Sequence, residues 1–376
     1  MRVLHVVTLL TPDGAFGGPV RVAENQTTAL RARGHEVIVA AGQRGFPGGP
    51  PSDLGGTAAQ LFPVRRLIPG TGFSGLSSWP MQRWLAREVR QVDVVHVHLA
   101  RDLITLPAAR LAQRLGVPYV LQPHGMIVES NHPLAGPLDA ALTRRVLAGA
   151  HAVFYLTDEE AESLRAVGRQ PILLRRLRNG TPPASCPLPP PERPEVLFCS
   201  RLHVRKRPVL FTQMARELLA KGLEATFALV GPDEGQGPAV AAAISAMAEP
   251  ARLRWEGSLP PSATLARMQR ASLLVLPSLN EPNPMAVLEA LSVGLPVVVT
   301  DSCGLAPAVR ELGVGVVVDS SLESLVSAVR QLLQEPAALA AMALRAASAA
   351  RDHFGMDEVA DILEGVYASA MQRRGV

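Results

Sequence analysis

Short uninterrupted apolar runs alternate along this chain with segments of helical period, and that alternation leaves few folds open. "RVLHVVTLL", "HEVIVAAG", "VDVVHVHL" and "PYVLQPHG" are separated by helical patterns over 19–33, near 79–91 and over 102–115. After residue 194 the series resumes with "EVLFCS", "ATFALVG", "LRWEGS", "SLLVLPS", "PVVVTD" and "VGVVVD", with helices expected over 206–221 and 237–248. A strand apolar at successive positions has both faces covered, the condition of a parallel sheet flanked by helices. The repetition therefore implies βαβ units and an α/β fold of doubly wound parallel sheets. The runs fall short of the roughly 18 apolar residues of a membrane span. The opening "MRVLHVVTLLTPDGAFGG" reads as a first strand rather than a signal peptide.

One pattern occurs twice. "VDVVHVHL" is followed, after a helix, by "GVPYVLQPHG"; "ASLLVLPSL" is followed, after a helix, by "GLPVVVTDSCG". This echo, with the proline-rich "PPASCPLPPPERP" at 182–194 reading as a stiff linker, predicts two similarly wound domains. Their expected limits are 1–182 and 183–355, with 356–376 as a closing helix. Ligands of open parallel sheets bind beyond the carboxyl ends of the strands, so the site is expected in the cleft between two such domains. "GFPGGPPSDLGG" at 45–56 reads as a mobile loop.

Composition narrows the class. With 376 residues, 48% apolar and 19% charged, the chain can bury two cores. Three scattered cysteines, Cys186, Cys199 and Cys303, suit neither a disulfide framework nor a metal knuckle, which points to a reduced, cytoplasmic protein. The first 188 residues hold 20 basic and 13 acidic side chains, the remainder 17 and 20. No basic run or aromatic-interleaved stripe marks a nucleic-acid surface, so the asymmetry reads as a solvated arginine-rich face with at most peripheral membrane contact.

Three stretches could carry chemistry. Gly17 and Gly18 open a helix just past the first strand, where backbone N–H groups and the helix dipole can receive a phosphate; a plain tight turn is the other reading. In "SRLHVRKRP" (200–208), Arg201, Arg205, Lys206 and Arg207 cluster where a strand gives way to a helix. A helix N-terminus repels cations, so Arg201 and Lys206 together predict a bound anion, a diphosphate being the obvious one. In "NEPNPMAVLE" (280–289), Glu281 follows a strand's carboxyl end and Pro284 suits a helix's first turn. Glu289 lies among Val287, Leu288 and Leu291, where a carboxylate needs partners such as a vicinal diol. His96 and His98 share a strand face and read as core or strand-end residues, whereas His124, before Gly125, is the better site candidate. No Asp-x-Asp pair occurs, so neither a metal nor another cofactor is expected.

In this order, "GGP", "PHG" (123–125), "RNG" (178–180), "SRL…K" (200–206) and the two glutamates eight apart resemble the retaining GT-B glycosyltransferases of family 4. "VLEALSVGLPVVVTDSCG" is the most specific part, and the likeness extends to the closing "HFGMDEVADILEGVY". The resemblance implies two Rossmann-like domains, a nucleotide-diphospho-sugar co-substrate held mainly by the second, and an acceptor held by the first. It implies that Gly17 and Gly18 approach the diphosphate and that Arg201 and Lys206 neutralise it as it leaves. Glu281, with Asn283, Met285 and Ala286 beside it, would hold the donor sugar, and Glu289 the ribose. His124 would contact the sugar on the acceptor side, with Asn179 nearby. "PNP" after Glu281 departs from the family, since Pro284 removes an amide that could serve a sugar hydroxyl and Asn283 offers a side chain instead.

The expected reaction moves a hexosyl or N-acetylhexosaminyl group, most simply from a UDP-sugar, to a hydroxyl of a small soluble acceptor of aminocyclitol type. Glu129 and Asp139 are candidates for pairing with an acceptor amine. A cell-surface polysaccharide or glycolipid acceptor, a nucleotide-sugar epimerase, and a silent sugar-nucleotide-binding protein are the alternatives.

Overall fold

The computed structural model describes residues 1–14, 17–182 and 191–372. Most of the 182–194 linker, with Cys186, lies outside the described residues. Two units form: Met1–Pro12, Phe16–Gly180 and Met356–Val376 make one, Asp13–Ala15 and Thr181–Gly355 the other.

The first unit is built on β1 (Arg2–Leu10), β2 (Glu36–Gln43), β3 (Asp53–Leu54), β4 (Thr57–Pro63), a small ribbon β5 (Arg65–Arg66) and β6 (Leu76–Ser77), then β7 (Val94–Val97), β8 (Tyr119–Leu121), β9 (Ala152–Tyr155) and β10 (Leu174–Arg176). The main sheet runs β10-β9-β8-β7-β1-β2-β4-β3, parallel except for β3. The chain leaves β1 in one direction and returns through β7 in the other, so the sheet's switch point lies between them. β3 and β4 fall partly in and partly just after the expected 45–56 loop. Sequence alone misses β4 because "TAAQLFP" alternates polarity at the sheet margin instead of forming an apolar run.

The second unit carries β11 (Glu195–Cys199), β12 (Thr226–Val230), β13 (Leu253–Trp255), β14 (Leu273–Leu276), β15 (Val297–Thr300) and β16 (Gly315–Val318). Its six-stranded sheet, β13-β12-β11-β14-β15-β16, is parallel throughout and switches between β11 and β14. β11, β14 and β15 are buried at every position, as their apolar runs require, with the polar Glu195 opening β11 and Thr300 closing β15.

The echo has a common physical cause. The helix Thr105–Arg114 ends on Gly116 (φ 66°), whose N–H bonds Gln113 O while Val117 N–H bonds Ala112 O. The helix Met285–Ser292 ends on Gly294 (φ 72°) with the same two bonds, to Leu291 O and Ala290 O. Both are paired 5→2 and 6→1 closures around a left-handed glycine, after which proline starts the next parallel strand. Each echoed strand pair, β7–β8 and β14–β15, lies side by side.

The helix Met356–Gln372 packs on the first unit's sheet, burying Met356, Val359, Leu363 and Tyr367 with Val3, Val94, Val120 and Phe154. Burial contributes about 1.5–3 kcal/mol for each large apolar side chain. Arg33, bonded to Asp361 and Glu364, fastens the helix's outer face. No helix among the described residues is long and apolar enough to cross a membrane.

Candidate active site

The basic stretch does not lie on a helix. After β11 the chain forms one tight turn, Val204–Lys206; Arg207 takes a left-handed conformation (φ 55°) and the helix Pro208–Ala220 follows with proline in its first turn. The loop after β14 returns beside it, with Leu279 N–H bonding Arg205 O (3.0 Å). Two strand-end loops from either side of the switch point therefore meet, which is where an open parallel sheet places a ligand.

At this junction Lys206 forms an ion pair with Glu281, both nearly buried, and Arg205 stands 3.6 Å from the same carboxylate. Burial pushes the Lys206 ammonium's pKa down, and the attraction of Glu281 opposes it. Arg201 is met by Glu234, 2.5 Å away, and Arg207 bonds Ser320 O. Two carboxylates of the chain itself stand among these cations, so their clustering does not by itself demand an external anion. Four cations against two carboxylates still leave an excess of positive charge. Glu234 escaped notice because "GPDEG" holds it on another strand-end loop, after β12. Replacing Glu234 with glutamine releases Arg201 and is expected to lower the Kd for UDP about two- to fivefold, the worth of an exposed ion pair; an unchanged Kd by calorimetry would show that Arg201 does not meet the nucleotide.

The Glu281 loop is clamped by backbone. Gly304 N–H bonds Glu281 O (2.8 Å), and a Cβ on Gly304 would come within 1.9 Å of Pro282 O. Pro284 is the N-cap of the helix Met285–Ser292, one position before its expected place. Asn283 Oδ1 and Ser278 Oγ are buried and have no hydrogen-bond partner among the described residues. Glu289 is buried on the same helix among core residues, and Met285 and Ala286 are partly buried beside it. Cys303, paired in register with Glu281, carries a thiol that burial raises to about 11, keeping it neutral.

The other candidates belong to the first unit. His124 follows β8 with φ 55°, and Gly125 is also left-handed (φ 74°). Glu160 holds this turn, accepting from Gly125 N–H (2.5 Å) and Leu156 N–H (2.7 Å). Burial lowers the His124 pKa to about 3, so the ring is neutral at physiological pH. Asn179 is buried with Oδ1 unpartnered among the described residues. A Cβ on Gly17 or Gly18 would touch no protein atom, so protein packing does not account for glycine at either position. Glu129 is exposed. Asp139 is buried and bonds Arg101 with both oxygens (2.8 and 2.9 Å). Its charge is already matched, which corrects the expectation that it receives an acceptor amine.

Residues 17–180 match the glycosyl transferase 4-like domain and residues 187–353 the glycosyl transferases group 1 domain. The chain belongs to the group 1 glycosyltransferases. Its architecture of two parallel-sheet α/β units is the GT-B fold. D-inositol 3-phosphate glycosyltransferase of Rhodococcus jostii (strain RHA1) is 33% identical over 190 residues, 48% of this chain and 41% of that protein. The chain thus spans about two fifths of that relative's length. 2-Deoxystreptamine glucosyltransferase of Streptomyces kanamyceticus is 27% identical, with 81% of this chain and 86% of that protein aligned. Among solved structures, Anabaena Alr3699/HepE in complex with UDP and glucose superposes with a TM-score of 0.71 at 15% identity, covering 98% of this chain and all of that one.

Proposed function

We propose that this protein is a cytoplasmic, metal-independent, retaining glycosyltransferase. In this reading it transfers a hexosyl or N-acetylhexosaminyl group from a UDP-sugar to a hydroxyl of a small aminocyclitol-type acceptor. The observation that carries the transfer chemistry is the buried Glu281–Lys206 pair at the second sheet's switch point, with cationic charge in excess around it. The name of the 2-deoxystreptamine relative supports the acceptor class, and the UDP and glucose in the Anabaena complex support the donor class.

Departure of a nucleoside diphosphate builds negative charge on the β-phosphate while the sugar becomes oxocarbenium-like. Lys206, fixed by Glu281 before the reaction, and Arg201, drawn from Glu234 to the phosphate, stabilise that charge. Glu281 accepts sugar hydroxyls and orients the anomeric carbon, and Asn283 Oδ1 accepts another. Glu289 takes the ribose diol. The acceptor oxygen bonds the anomeric carbon on the face from which the phosphate leaves, and its proton passes to the departing phosphate oxygen, so no carboxylate nucleophile is required.

A glycolipid acceptor is the second reading. It is favoured by Trp79, 75% exposed, near the β5–β6 ribbon, where Leu67 and Arg65, Arg66 and Arg83 are also exposed. Aromatic and basic side chains together suit an anionic bilayer surface. One experiment separates the readings: mass spectrometry of products from UDP-, GDP- and TDP-sugars with soluble aminocyclitols or vesicle-borne glycolipids, with and without excess EDTA. The expected result is a UDP-dependent, EDTA-resistant aminocyclitol glycoside with the donor's anomeric configuration. Strict metal dependence would overturn the cationic-clamp mechanism, and product formed only on vesicles would overturn the soluble acceptor.

A further inference from the structure

The turn that carries His124 is held by a carboxylate from the end of another strand. Met126 N–H bonds Pro123 O (3.0 Å), and the two central residues of this β-turn, His124 (φ 55°) and Gly125 (φ 74°), are both left-handed. Glycine, asparagine and aspartate are the usual occupants of such a turn, so a histidine in its first central position is strained. Backbone strain of this kind persists only where the surroundings impose it, and it gathers at functional sites.

Glu160 imposes it. This buried residue lies in the first turn of the helix Asp158–Gly168, whose N-cap Thr157 accepts from Glu160 N–H (3.2 Å). Thr-x-x-Glu at a helix start is the capping-box pattern, in which the glutamate reaches back to the N–H of the N-cap itself. Here the two oxygens are used differently: Oε1 accepts from Gly125 N–H (2.5 Å) and Oε2 from Leu156 N–H (2.7 Å). One side chain thus ties the turn after β8 to the end of β9. A flipped 124–125 peptide would aim the His124 carbonyl at the carboxylate, so the bond to Gly125 N–H selects the present backbone.

That backbone in turn sets the ring. His124 lies flat on His98, with centroids 5.1 Å apart, planes 5° apart, and His98 Nδ1 2.8 Å from His124 Nε2. His98 continues the stack with the buried rings of His96 and His5 (4.7 and 5.3 Å), so the floor beneath His124 is the core of the first unit. We propose that Glu160 is a positioning residue of the transfer reaction: it fixes the peptide between His124 and Gly125 and thereby holds the His124 ring in place for the substrate. Its role is orientation rather than ligand binding, because both its oxygens are committed to backbone N–H groups. The assignment rests on the reading of His124 as a substrate-contacting residue.

Glu160→Gln keeps the side chain's size but can accept at only one oxygen, and its NH₂ group meets the other N–H donor. Its kcat for release of UDP from UDP-glucose is expected to fall about ten- to a hundredfold, the worth of a hydrogen bond to a charged group, with KM and the Kd for UDP within about twofold. Glu160→Ala is expected to lose more and to regain activity with added formate, whose carboxylate fits the vacated space; a merely destabilised protein shows no such rescue. In a His124→Ala background, Glu160→Gln is expected to lower kcat by less than about twofold further. ¹H–¹⁵N NMR of the full chain gives a readout independent of activity. The Gly125 amide proton is expected far downfield in the wild type, as a short bond to a carboxylate requires, and is expected to move upfield in Glu160→Gln together with shifts of the His124 ring signals. An unaltered kcat in Glu160→Gln, its full penalty persisting in His124→Ala, or His124 ring signals unmoved by Glu160→Gln would overturn the proposal. His124→Ala with wild-type kcat would instead overturn the reading on which it rests, whatever the Glu160 variants do.

Discussion

Glu281→Ala is expected to lower kcat by about 10³-fold, the scale of losing one preorganised transition-state contact, while the Kd for UDP changes less than about threefold. The reason is positional. Glu281 is held by Gly304 through its backbone and by Lys206 through its carboxylate, so it is rigid before substrate arrives. Its loss also strands Lys206, which is nearly buried. Removing one partner of a buried ion pair costs about 3–5 kcal/mol, reduced here because burial already lowers the Lys206 pKa and the amine can shed its proton. Stability and activity should therefore separate. Glu281→Ala combined with Lys206→Met is expected to recover most of the lost thermal stability and none of the activity. Glu289→Ala, by contrast, is expected to raise donor Kd with a smaller effect on kcat. Small and similar effects of the two glutamate substitutions in steady-state kinetics would sink the division of roles between them.

The parts of this molecule that are legible in its sequence are those fixed locally. The β7–β8 and β14–β15 units can be read because Gly116-Val117-Pro118 and Gly294-Leu295-Pro296 encode helix closure and strand start within a few residues. Glu281 and Glu289 can be located because one follows an apolar strand and the other interrupts an apolar helix. Charge partners are different. Nothing near Arg201 announces Glu234, and nothing near Gly125 announces Glu160, because each pair meets only after distinct strands are laid side by side. The helix expected from residue 206 begins at Pro208, because the left-handed Arg207 closes the tight turn before it. His96 is the clearest case. Its sequence suggests a core residue, and it is one, but its partner Tyr367 lies 271 residues away.

The histidine stack is expected to make the first unit acid-sensitive in a range where most proteins of this kind are still stable. His5, His96 and His98 are fully buried, and burial together with the neighbouring rings holds each well below the ordinary value of 6.5. The groups facing them from the packed elements are Tyr367, Gln122, His124 and the Phe154 ring, none of which offers a carboxylate to stabilise an imidazolium. Below about pH 6.5 the unfolded chain therefore binds protons that the folded chain refuses, and stability falls as pH falls. Each such proton contributes about 1.4 kcal/mol per pH unit, so with His124, which burial also lowers, four histidines approach a slope of about 5.5 kcal/mol per unit once the unfolded rings are protonated. The second unit has no histidine among its buried described residues and should lack this slope. Urea unfolding followed through Trp84, which packs on Phe62 in the first unit, is expected to show a midpoint that drops steeply between pH 7 and pH 5.5. Trp255, on β13, reports the second unit, whose midpoint should move far less; Trp255→Phe isolates the first unit's signal, and Trp79→Phe with Trp84→Phe isolates the second's. His96→Phe removes one of four titrating rings and should reduce the first unit's slope by about a quarter, in line with one proton fewer. Equal pH dependence of the two units, or a flat response at Trp84 over this range, would show that the buried imidazoles do not remain neutral as the fold requires.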